Sequence, residues 1–157
     1  MRGLRPVNWK TLPGPDDITL VELPNGITVL ARPNFNSPSI VISGYLTSGS
    51  LFDPNAQLGL SQFTAMALMR GTQSKTFQQI YDSIESVGAT LGFGTSVHNI
   101  SFGGRALAED LPLLLSLFSE AARTPTFPNE QIERVRAQIM THLAIRAQDT
   151  ADLASLE

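Results

Sequence analysis

The chain has 157 residues, 42% of them apolar and 16% charged, enough for one domain with its own core. A net charge of -3 gives no footprint for nucleic acid, and the absence of cysteine excludes disulfides and thiolate metal sites. Only two histidines, His98 and His142, are available to a transition metal, which usually takes three protein ligands.

The first residues, Met1 to Lys10, are not followed by the apolar run of a secretory signal. No stretch approaches the roughly 18 apolar residues of a membrane span. These features predict a soluble, cytoplasmic protein. Residues 1–16, with Pro6, Pro13, Gly14 and Pro15, read as an extended arm that Trp9 anchors to the body. Residues 17–157 read as one domain that stops inside a helical pattern with no stop signal, as a truncated chain would. The low charge predicts a surface partly covered by a partner or a missing half.

Ile18 to Leu23 and Ile27 to Ala31 are strand-like runs on either side of Pro24-Asn25-Gly26. Asn-Gly between two such runs predicts a hairpin, because both residues tolerate positive φ. Ser39 to Leu46 is nearly all apolar, which predicts a strand central in its sheet. Thr47 to Gln57 reads as a loop. Gly59 to Thr72 predicts a helix apolar nearly all round, hence buried, with Gly71 as its C-terminal stop.

Ser74 to Val87 predicts a second helix, with Phe77, Ile80, Ile84 and Val87 on one stripe. Ala89 to Val97 and Asn99 to Leu107 predict a strand pair. Leu91, Phe93 and Thr95 share one face of the first strand, and Gly92 and Gly94 lie on the other. A third helix starts at Asp110 with Pro112 in its first turn, and Thr124 to Pro128 ends it. A long fourth helix follows, with Ile132, Val135, Ile139 and Leu143 as its apolar stripe. Its Arg134, Arg136 and Arg146 are read as a solvated or partner-facing side. The order is β-β-β-α-α-β-β-α-α. It predicts an α+β fold, with one largely antiparallel sheet and helices packed on one face.

Several segments in this order carry a family resemblance. They are Leu23-Pro24-Asn25-Gly26-Ile27-Thr28-Val29, Gly49-Ser50, Gly59-Leu60 with Phe63 and Met69-Arg70-Gly71-Thr72, then Gly88-Ala89 and Pro125 to Arg136. Each is weak alone. Together, at this spacing, they resemble the N-terminal half of the pitrilysin/insulinase family of zinc metallopeptidases, which includes mitochondrial processing peptidase. The resemblance spans about residues 17–150. Active members carry H-x-x-E-H on the first helix: two zinc-ligand histidines, and a glutamate that activates the metal-bound water.

The resemblance puts those three places on Gln62, Ala65 and Met66, and two further glutamates on Val135 and His142. The last of these is the third zinc ligand in the family, and all five places differ from the active pattern. Alanine polarises no water, an amide is a poor zinc ligand, and a thioether suits copper(I) better than zinc. The former metal face therefore reads as core, with no metal, no cofactor and no catalytic residue of its own. Gln62 and His142 either hydrogen-bond each other or have other polar neighbours. His98 reads as a surface or half-buried histidine.

In active relatives, the strand matching Leu91, Gly92, Phe93, Gly94, Thr95 and Ser96 adds a peptide substrate to the sheet edge. The same glycines also fit an edge covered by the second half of a longer protein. The resemblance implies an inactive accessory subunit that helps form a chamber and bind peptide, beside a catalytic sister chain that carries the zinc. A structural subunit with no proteolytic partner, like the core proteins of a respiratory complex, is the alternative. A free-standing peptide-binding module is the third reading.

Overall fold

The computed structural model describes residues 14–148. Trp9 and most of the N-terminal arm therefore lie outside the described residues. The chain divides into two units, residues 1–38 and 39–157.

The first unit is the expected hairpin. Strand β1 (Thr19–Glu22) pairs antiparallel with β2 (Thr28–Ala31), Thr19 opposite Ala31 and Glu22 opposite Thr28. The turn works as its sequence dictates. Gly26 adopts φ 83°, the Asn25 side-chain oxygen accepts a hydrogen bond from the Ile27 N–H at 3.2 Å, and the Leu23 N–H donates to the Ile27 carbonyl at 2.8 Å.

The second unit holds a three-stranded antiparallel sheet. β3 (Ser39–Leu46) and β4 (Thr90–Thr95) flank β5 (Ile100–Leu107), in the order β3-β5-β4. One expectation is corrected here: among the described strands of this unit, β3 lies at an end of the order β3-β5-β4 rather than at its centre. Its apolar run suggested burial on both sides, but a composition signal cannot say what lies beyond the strand. Val41 and Tyr45 are 69% and 72% exposed.

The pleat assigns the two faces of this sheet. Ile42, Gly104 and Leu91 align across the three strands, as do Gly44, Phe102 and Phe93. The Phe102 ring occupies the space that a Cβ at residue 44 would need, so any larger residue there would have to displace that ring. On the same face lie Leu114, Leu117, Phe118 and Ala121 of α3 (Leu111–Arg123), and Phe118 stacks 5.8 Å from Phe93 and 4.1 Å from Phe102. Met69, Ile80, Ile84, Leu117 and Ala121 form the buried cluster, with Leu91, Phe93 and Leu113 against it. The opposite face exposes Ser43, Ser101, Gly103 and Arg105. The expected placement of helices on one face is thus the observed one within this unit.

The helices start and stop for identifiable reasons. α1 (Leu60–Ala67) is shorter than its sequence pattern; a 3-10 turn (Leu68–Arg70) continues it. Gly71 then ends it with φ 157° and ψ 145°, by extension instead of a left-handed cap. α2 (Phe77–Ser86) begins three residues past its predicted start at Ser74 because Thr76 is its true cap. The Gln79 N–H donates to the Thr76 hydroxyl at 3.3 Å, and the Thr76 N–H donates to the Gln79 side chain at 2.9 Å. Asp110 holds the cap position of α3 but makes no capping bond through its side chain. α4 (Asn129–Arg146) follows directly on Pro128, which holds its cap position, and Val135 is its one buried residue.

Candidate functional site

The site is the line of contact between α1 and α4, because these helices carry all five positions singled out by the resemblance. α1 has no cap of its own. Gly59, in the left-handed region at φ 91°, precedes it and offers no side-chain acceptor, while the Leu60 N–H donates to the Gln57 carbonyl at 3.1 Å. Asp53 supplies a side-chain acceptor from the preceding loop. Its carboxylate accepts from the Gly59 N–H at 2.9 Å, the Ser61 N–H at 2.9 Å and the Ser61 hydroxyl at 3.3 Å. The loop itself is fixed to the β4–β5 turn, where the Ser50 N–H donates to the Ser96 carbonyl at 3.1 Å and the Leu51 N–H to the Val97 carbonyl at 2.9 Å. A carboxylate at the positive end of a helix dipole adds to this anchoring.

α4 is held against α1 by three features. Val135 is fully buried (0% exposed). The Arg70 guanidinium donates to the Gln138 side chain at 3.1 Å, and the Arg136 guanidinium lies 6.0 Å from the Phe63 ring centroid. Arg134 and Arg136 otherwise pair within their own helix, with Glu130 at 2.6 Å and Glu133 at 3.2 Å, and both remain exposed, as a solvated face.

The five positions separate by depth. Ala65 (4% exposed) and Val135 are core. Gln62 and His142 are exposed, and Met66 is half-buried. These last three line one open cleft of about 620 Å³, together with Gln138, Ile139 and Leu143. The expectation that the whole face has become core is therefore corrected: its inner part is core and its outer part is a cleft. The reason is geometric, since α4 meets α1 around Val135 and leaves its later turns open. Among the described residues no hydrogen bond joins Gln62 to His142. His98 is exposed in the turn between β4 and β5 and does not line the cleft.

β4 pairs only with β5, so its other side is an edge among the described residues. Leu91, Phe93 and Thr95 share the register rows of the helix-covered face, while Gly92 and Gly94 lie on the opposite one. A Cβ at Gly92 would meet nothing within 4 Å. Ser96 lies beyond β4. Its N–H donates to the Asn99 carbonyl at 2.8 Å and its carbonyl receives Ser50, so it serves the turn rather than the edge.

One polar cluster went unseen in the sequence. Glu120 of α3 receives hydrogen bonds from Lys75 Nζ at 2.9 Å, from the Thr72 hydroxyl at 3.2 Å and from the Ser74 hydroxyl. The Lys75 and Ser74 hydrogen bonds lower its pKa from 4.5 to about 2 against the cost of burial, and the Lys75 charge and the Thr72 bond add to the effect. The cluster clasps the α1–α2 link to α3. Its parts are 45 or more residues apart in sequence, and no local pattern announces them.

A mostly antiparallel α+β unit with two helices meeting over such a cleft defines a class of fold. The insulinase (peptidase family M16) model matches residues 29–154, and the chain belongs to that family. It is 29% identical over 119 residues to the β subunit of the mitochondrial processing peptidase of Saccharomyces cerevisiae, covering 76% of this chain and 26% of that protein. It is 23% identical over 136 residues to subunit 2 of the mouse mitochondrial cytochrome b-c1 complex, covering 87% of this chain and 30% of that one. Among solved structures, an inactive M16 peptidase domain from Pseudomonas fluorescens superposes with a TM-score of 0.82 at 26% identity, covering 89% of this chain and 34% of that chain. Pitrilysin, at 19% identity and a TM-score of 0.72, shares the fold. The chain spans about a quarter to a third of the length of the curated relatives it matches.

The family's zinc can now be tested against the residues present. The cleft offers an amide (Gln62), a thioether (Met66) and one imidazole (His142), with no carboxylate in its lining. Among the described residues, no three His, Cys, Asp or Glu side chains converge as a metal site. Ala65 has no group to polarise a water. This donor set does not fit a catalytic zinc ion, which takes nitrogen, thiolate or carboxylate ligands. Among the described residues, no helix is long and apolar enough to cross a membrane.

Proposed function

We propose that this chain is part of a non-catalytic M16 subunit that helps enclose and hold peptide for a catalytic sister chain with an intact zinc motif. One observation carries the reading: the helix pair of the peptidase fold is kept, while Gln62, Ala65, Met66, Val135 and His142 stand where the resemblance expects ligands and catalytic carboxylates. Two of these are packed into the core, so the loss is built into the fold's interior as well as its surface. Relatives named as α and β subunits of mitochondrial processing peptidases, and a structural neighbour described as an inactive M16 domain, support it. The zinc would reside in the sister chain.

The test is co-purification of the full-length protein from its source, followed by assays of the complex and of each isolated chain. The reading expects a partner with an intact H-x-x-E-H motif and peptidase activity that needs that partner. Stoichiometric zinc and peptide cleavage by this chain alone would overturn it. A second reading, a structural subunit of a larger assembly with no proteolytic partner, draws on the similarity to the cytochrome b-c1 subunit over 87% of the chain. It expects co-purifying chains that all lack the motif.

A further inference from the structure

The donors that fit zinc poorly in the α1–α4 cleft suit a softer ion. Gln62 and Met66 stand four residues apart on α1, so their side chains are neighbours on one face of the helix, and both line the cleft. His142 lines it from α4, the helix packed against α1. One thioether, one imidazole and one amide oxygen thus border a single open space. Met66 is half-buried, and its unbranched side chain has rotatable bonds that let the sulfur adjust its position. Gln62 and His142 are exposed, and among the described residues neither side chain is engaged in a hydrogen bond.

We infer that the cleft binds a soft monovalent cation, copper(I), with the Met66 sulfur and a His142 ring nitrogen as its ligands and the Gln62 amide oxygen as a weaker third donor. Ligand softness decides the ion. A thioether suits copper(I) and is a poor ligand for zinc, and harder than either are magnesium and calcium, which take oxygen. Imidazole serves copper and zinc alike, so the sulfur makes the distinction. Copper(I), with its filled d shell, accepts low coordination numbers. A thioether and an imidazole therefore suffice for it, where a structural zinc ion takes four ligands. The choice of ion depends on the sulfur of Met66 and on no charge around the cleft. It is also independent of whether the chain holds peptide.

The experiment titrates the full chain anaerobically with copper(I) in competition with a chromophoric copper(I) chelator, and separately with zinc(II) against a zinc indicator. The chain should take up one equivalent of copper(I) and hold it about a hundredfold or more tighter than zinc(II). X-ray absorption at the copper edge should show a sulfur and a nitrogen neighbour. Met66→Leu removes the sulfur at nearly constant volume and should weaken copper(I) binding about tenfold or more. His142→Ala, at an exposed position that the fold tolerates, should do the same. Met140→Leu and His98→Ala remove an exposed methionine and the second histidine, neither of which lines the cleft, and should leave the affinity unchanged. Circular dichroism checks that each variant is folded.

No copper(I) held against the chelator would overturn the inference, as would an affinity that Met66→Leu and His142→Ala leave unchanged. Zinc(II) bound as tightly as copper(I) would overturn it too. Binding that falls with Met140→Leu or His98→Ala instead would place the ion outside the cleft and count equally against it.

Discussion

The two ends of the α1–α4 contact differ sharply. At the inner end Ala65 and Val135 are sealed into the core; at the outer end Gln62, His142 and Leu143 face solvent around a cleft. Both ends carry residues that differ from the active pattern of the family, but under different physical constraints. A carboxylate at the inner end would now be a buried charge without a partner. Polar or charged groups at the outer end have water beside them. The α1–α4 contact thus holds two regions, one fixed by packing and one open to solvent.

The largest effect expected from breaking this contrast comes from Val135→Glu. It puts an unpaired carboxylate in a fully buried place, so it should cost about 3–5 kcal/mol in urea denaturation, or prevent folding. Ala65→Glu fails for the same reason, with overpacking added.

Next comes the clasp, whose Lys75 and Glu120 side chains are 28% and 24% exposed. Glu120 has its pKa lowered to about 2, from an ordinary 4.5. A depressed carboxylate stabilises the fold fully above the ordinary pKa, and that contribution fades as pH falls from about 4.5 through about 2. Glu120→Gln should therefore cost about 1–3 kcal/mol at neutral pH and flatten the acid limb of the stability profile. Denaturation midpoints measured from pH 7 downward report both effects.

Asp53→Ala removes the borrowed cap of α1 and should cost about 1–2 kcal/mol. Asp53→Asn, which keeps an acceptor, should recover part of that loss in the same assay. The smallest effect belongs to the outer end. Gln62→His and His142→Glu each change an exposed side chain and should shift stability by less than about 0.5 kcal/mol. A large loss from either would show that the outer end is as constrained as the inner one.

Much of this was legible in the sequence where signals are local. Asn25-Gly26 announced its hairpin, the apolar spacing announced α2, and Pro128 announced the start of α4. The missed features depend on partners far away in the chain. Asp53 looked like a loop residue because its function is eight residues ahead, on Ser61; a helix beginning at a bare glycine was the available clue. Glu120 gave none. β3 looked central because apolar composition records the company a strand keeps on its faces, not on its edges. The five site positions were nameable from the motif frame, but their division by depth was not, because it depends on where α4 crosses α1.

The proposal that this M16-family chain carries no zinc catalysis of its own is open to a direct test. Elemental analysis of the purified, zinc-equilibrated chain, read alongside its peptidase activity without any partner, tests this most directly. The account predicts substoichiometric zinc and no cleavage. Stoichiometric zinc with peptide cleavage abolished by a chelator would contradict it.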